Sequence, residues 1–135
     1  MNPFIVLGTA AAALVVGLFL KARASGYRGA IGFKNHNPSE IATLSLAGFK
    51  RPIECRTLAR GEHSFNYPGA QTLPGEVTIT WRFVGDTADR TARVSLAGVP
   101  RDAKDGELFF ALSETEDWAA EYAPTLQLEK LQRGE

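Results

Sequence analysis

From Ala30 onward, apolar and polar residues alternate in short runs cut by Gly, Pro, Asn and Asp. That period of two is the signature of half-buried β-strands. The clearest run is residues 76–84, where Val77, Ile79, Trp81 and Phe83 alternate with Glu76, Thr78, Thr80 and Arg82. Pro74-Gly75 leads into it and Gly85-Asp86 ends it. Further strands are predicted at 30–34 (Ile31 and Phe33 on one face), at 41–47 (Leu44 and Leu46 inward) and at 53–58 (Ile53, Cys55 and Thr57 on one side). The pattern continues at 91–99 and at 107–112, with Leu108, Phe110 and Leu112 facing one way. Residues 118–122 read as one more strand, with a short helix as the alternative. Asn35-His36-Asn37-Pro38 has turn chemistry, and residues 63–72 read as a polar loop.

Two segments break this pattern. Residues 4–20 are apolar apart from Gly8, Thr9 and Gly17, with Lys21, Arg23 and Arg28 soon after. A helix needs about 20 apolar residues to cross a bilayer, so the stretch fits a single-pass anchor. A cleaved secretory signal and a buried core helix are the competing readings. The first fits poorly, because residues 1–3 carry no Lys or Arg and the apolar run is long. At the other end, residues 125–132 place Leu128 and Leu131 three apart before Gly134, as in a short C-terminal helix. The expected organisation is an anchor at 1–21, a linker at 22–29, an all-β, sandwich-like domain at 30–124 and a helical tail at 125–135.

Ala42-x-x-Ser45-Leu46-Ala47-Gly48-x-x-Arg51 recurs as Ala92-x-x-Ser95-Leu96-Ala97-Gly98-x-x-Arg101. Two copies make no repeat array. The expectation is two equivalent strand ends, one in each of two packed sheets.

Charge refines the picture. The formal net charge is zero, yet residues 21–100 carry eleven Lys/Arg against six Asp/Glu, and residues 101–135 carry four against nine. A basic membrane-proximal part is drawn to anionic headgroups. The positive-inside rule, applied to Lys21, Arg23, Arg28 and Lys34, places the domain in the cytoplasm. Gly8, Ala12, Ala13 and Gly17 are small residues at four-residue spacings, able to pair the helix with a second copy or another membrane helix. No basic helix or interleaved basic-aromatic run supports nucleic-acid binding.

Candidate chemistry is sparse. No nucleophile elbow, phosphate loop or zinc-helix motif occurs. Cys55 is the single cysteine, so no internal disulfide is expected, and adjacent Arg56 points to the opposite face of a strand. His36 and His63 are the only histidines. No metal, cofactor or catalytic set is therefore expected, and a Cys55–His63 pair has no spacing argument behind it. The contact candidates are aromatic and acidic. Phe65 and Tyr67 lie before Pro68-Gly69, either as an exposed partner-binding tip or as a cover for one end of the core. Trp118 follows Glu114, Glu116 and Asp117, a set able to contact a basic protein partner.

The motifs Phe33-Lys34-Asn35-His36, Ile41-x-x-Leu44-x-Leu46-x-Gly48 and Pro74-Gly75-x-Val77-x-Ile79-x-Trp81, with Val99-Pro100 and Leu108-Phe109-Phe110 downstream, resemble a family of small bacterial β-rich lipoproteins of unknown function. The resemblance spans residues 30–124. It implies membrane attachment and a periplasmic domain, against the charge count above. Some members accompany type VI secretion lipase effectors and are taken to be immunity proteins. This chain departs from the pattern in lacking a lipid-modifiable cysteine after the apolar segment, where the membrane helix would replace the lipid. Residues 61–73 also stand where many relatives carry a cysteine-rich stretch. The expected function is that of a single-pass inner-membrane, non-catalytic binding protein, an immunity-type inhibitor of a membrane-acting effector. The alternative is a structural or accessory subunit of an envelope complex.

Overall fold

The computed structural model describes residues 26–124; the anchor read at 1–21 and the helix read at 125–132 lie outside them. The described chain forms eight strands: β1 (Ala30–Asn35), β2 (Ile41–Ala47), β3 (Ile53–Leu58), β4 (His63–Asn66), β5 (Glu76–Phe83), β6 (Arg90–Ser95), β7 (Glu107–Leu112) and β8 (Trp118–Ala123). They make two four-stranded sheets, ordered β4-β1-β7-β8 and β3-β2-β5-β6. All pairings are antiparallel except β1–β7, which is parallel. The domain is thus an all-β sandwich, with no helix among the described residues.

The core is the inner face of each sheet. Ile31, Phe33, Leu108, Phe110 and Leu112 of one sheet meet Ile41, Leu44, Leu46, Val77, Ile79, Trp81 and Phe83 of the other. At roughly 25 cal/mol per Å² of buried apolar area, this surface is the main source of stability in a domain without a disulfide. The central strand β7 is buried on both faces except at its first residue, so Phe109 and Ala111 are covered as well as the inward set.

Two irregularities let the β2–β3 pair bury its ends. The β2–β5 register shifts between Ile41 and Thr43, a bulge that leaves Ala42 without an opposite residue. Ile41 therefore faces inward together with Leu44 and Leu46, which strict alternation forbids. Across the ladder, Thr57 adopts φ 56° and Leu58, paired with Ile41, is buried in its place. A β-branched residue in the left-handed region is strained. The expectation that Thr57 shares a face with Ile53 and Cys55 fails for this reason: the strand changes face at Thr57.

Other boundaries also differ from the sequence reading. β6 stops at Ser95, because a turn closed by Val99 N–H to the Leu96 carbonyl (2.9 Å) sends both apolar side chains into the core. β5 stops at Phe83 and leaves Val84 exposed. Residues 118–123 are a strand and not a short helix. The two Ala-x-x-Ser-Leu-Ala-Gly copies end β2 and β6, which flank β5 in one sheet and do not divide between two. The stretch read as loop at 63–72 begins with β4, the edge strand beside β1. Tyr27, in the stretch read as linker, is buried and bridges to Gln71, and its hydroxyl lies 2.6 Å from the Ala30 carbonyl. Burial pushes its phenol pKa far above the ordinary tyrosine range.

The loops gather at two poles. One holds Gly26, Pro124 and the loops after β2, β4 and β6; the other holds the loops after β1, β3, β5 and β7.

Candidate functional site

The two exposed aromatics of the contact candidates belong to the β4 edge. In β4 the usual alternation is inverted: His63 and Phe65 lie on the outer face, Ser64 and Asn66 toward the interior. Phe65 is 39% exposed, and Tyr67, just past the strand end, is 76% exposed. Phe65 rests on a platform built by β1 and β7. Gly32 lies opposite Phe65 on one side and Phe109 on the other, and its missing side chain lets the two rings meet at 4.8 Å, edge to face. A side chain on Gly32 would strike the Ser64 carbonyl and come within 3.0 Å of the Phe109 ring. Aromatic cover of a strand glycine is a recurrent way to protect such a gap.

Around this pair the contacts are specific. His63 stands edge-on to Phe65 at 5.3 Å and to Phe109 at 6.4 Å. The Lys34 ammonium sits 4.2 Å from the Phe109 ring centroid and 3.4 Å from the Glu121 carboxylate on β8. The result is an aromatic patch with Phe109 as its buried floor, Phe65 as its partly exposed top, and a Lys34–Glu121 pair as its polar border. Of this set the sequence reading singled out Phe65 for contact; Tyr67, the candidate named with it, lies just past the end of β4. The reading missed Gly32, Lys34, Phe109 and Glu121, although two adjacent phenylalanines in a strand already signal a residue covered on the outer face.

Trp118 and the acidic residues belong to the opposite pole and the opposite face. Trp118 is half-buried, its ring turned inward onto Trp81 at 5.5 Å. Glu114 pairs with Arg60 at 3.1 Å, and Glu116 with Arg90 at 3.2 Å. Arg90 in turn holds Asp86 at 2.8 Å. That hydrogen bond, with the Phe83 N–H, keeps the Asp86 carboxyl below its ordinary pKa. Asp117 accepts a hydrogen bond from the Thr115 hydroxyl at 2.9 Å, and Ser113 Oγ accepts from the Asp117 N–H at 3.0 Å. Glu114 and Glu116 thus have partners within the domain, and Phe65 and Trp118 form no common site. Gly8, Ala12, Ala13 and Gly17 lie outside the described residues.

The Asn35–Asn37 turn is a scaffold at the same pole. Buried Asn35 donates to the carbonyls of Ser39 and Leu58, both at 2.9 Å, and its Oδ1 accepts from the Asn37 N–H. Asn37 donates to the carbonyls of Ser113 and Glu114 at 3.1 and 3.3 Å. Together they tie β1 to the ends of β3 and β7.

Among the described residues no three His, Cys, Asp or Glu side chains converge as a metal site would require. Cys55 is a free, half-buried thiol opposite Leu44 in one sheet, whereas His63 is in the other, against Phe65 and Phe109. The structure therefore does not bring Cys55 and His63 together.

No protein-family model matches the chain, and no curated protein matches it. One solved structure, an NMR structure of a protein from Eubacterium rectale, is similar at 13% identity and a TM-score of 0.45, over 71% of this chain and 88% of that one.

Proposed function

We propose that this chain is a membrane-anchored, non-catalytic binding protein whose sandwich engages a protein partner through the outer face of the β4 edge. The observation that carries this reading is the exposure of Phe65, 39%, on a platform braced by Phe109 and His63, with Tyr67, 76% exposed, just past the end of the same strand. Aromatics held rigidly at a surface are the residues that dominate protein contacts. The apolar run 4–20 supplies the anchor, and the likeness to the β-rich lipoproteins makes a membrane-acting effector the first partner to test, with the chain as its inhibitor.

The test is site-specific photocrosslinking of the full chain in its native membranes, with the probe at Phe65, Tyr67 or Val84. Val84 is 61% exposed but lies at the other pole, so it reports chance encounters. The expected result is one adduct of the same mass from Phe65 and Tyr67 and none from Val84. Equal labelling at all three positions, or none, removes the β4 face as the contact.

A further inference from the structure

The pole from which Gly26 and Pro124 depart gathers cations that are far apart in sequence. Arg28 donates its backbone N–H to the Lys104 carbonyl at 2.8 Å. Lys50 donates its own to Gln71 Oε1 at 3.2 Å, and Gln71 is bridged to Tyr27. Arg51 and Arg101 occupy matching places, since each closes one copy of the Ala-x-x-Ser-Leu-Ala-Gly segment after β2 or β6. All five side chains are exposed, and among the described residues none of the five is in an ion pair. At the far pole the arginines are held: Arg60 by Glu114, and Arg90 by Asp86 and Glu116.

The acids are distributed the other way. Glu40, Glu62, Asp86, Asp89, Glu114, Glu116 and Asp117 lie in or beside the far loops. Near the basic pole stand Asp102 and Asp105 in the loop of Arg101 and Lys104, Glu107 at the start of β7, and Glu76, which faces Arg93 at 4.0 Å. The charge of the domain is therefore divided unevenly between its two poles. An open cleft of about 320 Å³ lies in the basic face, with Arg101 and Lys104 on its wall.

From these placements we infer that the basic pole is a docking face for anionic phospholipid headgroups, so that the sandwich stands on the bilayer with its acidic pole outward. The inference rests on the anchor reading for its geometry. Residues 21–25 separate the apolar run from Gly26 and span at most about 18 Å when fully extended. The pole is thus kept within about two Debye lengths of the surface at physiological salt. An anionic surface attracts this pole and repels the other, giving the domain a preferred orientation that a neutral bilayer would not impose.

The experiment uses the full chain carrying Cys55→Ser, with an environment-sensitive dye at Thr72→Cys in the basic pole or at Thr87→Cys in the far one. It is reconstituted into nanodiscs of phosphatidylcholine alone, or mixed with phosphatidylglycerol, containing a headgroup-linked quencher. The Thr72 dye should be quenched at least about two-fold more in anionic discs, with the excess lost in high salt as expected for screened surface charges. Charge reversal in either loop, Lys50→Glu with Arg51→Glu or Arg101→Glu with Lys104→Glu, should lower it, while the Thr87 dye stays unaffected. Equal Thr72 quenching in both discs overturns the inference. The anchor reading is tested separately by flotation with neutral vesicles, which no surface charge can supply. Flotation only with anionic vesicles, abolished by the reversals, would remove the anchor and keep the docking face; no flotation with either removes both.

Discussion

The indole rings of Trp81 and Trp118 meet edge to face at 5.5 Å, one from each sheet, and both Nε1–H groups are buried without a hydrogen-bond acceptor among the described residues. The pair therefore contributes area and ring contact while carrying two uncompensated donors. Trp118→Phe keeps most of the contact and removes one orphan donor, so its stability should match or exceed that of the parent. Trp118→Ala should cost about 2–3 kcal/mol. Urea titrations of both variants give the comparison. A large loss in Trp118→Phe would show that the indole N–H has a partner.

Asn35 is the second place where a single atom decides. Its amide nitrogen faces two carbonyl oxygens, from Ser39 and Leu58. Asn35→Asp puts an acceptor where a donor is required, in a buried site, and should destabilise by about 3 kcal/mol or more. The penalty should shrink in acid, where the carboxyl protonates. A loss under 1 kcal/mol at neutral pH, roughly the size of an ordinary surface change, would contradict the buried network.

Asp86 supplies a pH dependence of known sign. The Arg90 side chain and the Phe83 N–H both favour its charged form, so its folded-state pKa lies below the unfolded value. Its contribution is then complete above about pH 4, the ordinary carboxylate range, and is lost as pH falls through the lowered folded pKa. Asp86→Asn lacks this component. The gap in denaturation midpoint between parent and variant should be open at neutral pH and close in acid, and a gap that stays constant would assign it to something other than ionisation.

Gly32→Ala tests the aromatic platform. The new methyl meets the Ser64 backbone, which has no rotamer to escape into, so β4 must move away from β1. A cost of about 1–3 kcal/mol is expected, as for other overpacked sites. Faster hydrogen exchange should be confined to residues 63–66 and their β1 partners. Unchanged exchange there would mean that β4 yields without losing its pairing.

Most of the sandwich is legible in the chain because alternation reports burial directly wherever one face is wet. β5 is the clearest case, with Val77, Ile79, Trp81 and Phe83 all inward. β4 escaped because its pattern is inverted, with Phe65 outward and Ser64 inward, so a strand that covers an outer face looks like a loop. Thr57 escaped because a change of face within a strand depends on the opposite strand, here the bulge at Ala42. The aromatic site was half visible for the same reason. Phe65 and Tyr67 stand out as aromatics beside Pro68-Gly69, whereas Lys34, Phe109 and Glu121 join them only through the order of strands in the sheet. The charge bias along the chain reached only part of the basic pole: Arg28, Lys50 and Arg51 lie in the basic stretch, whereas Arg101 and Lys104 lie in the part whose balance is acidic, and only the topology brings the stretch before β1 together with the loops after β2 and β6.

Gly26 and Pro124 leave the sandwich at the same pole, where the rings of Tyr27 and Tyr122 stand 6.5 Å apart. Tension applied between the two ends of such a domain does not shear whole ladders at once. It opens the pairing like a zipper, one rung after another, starting where β1 and β8 flank β7. A fold held this way is mechanically soft however stable it is at rest, and would yield early if its two ends were pulled apart.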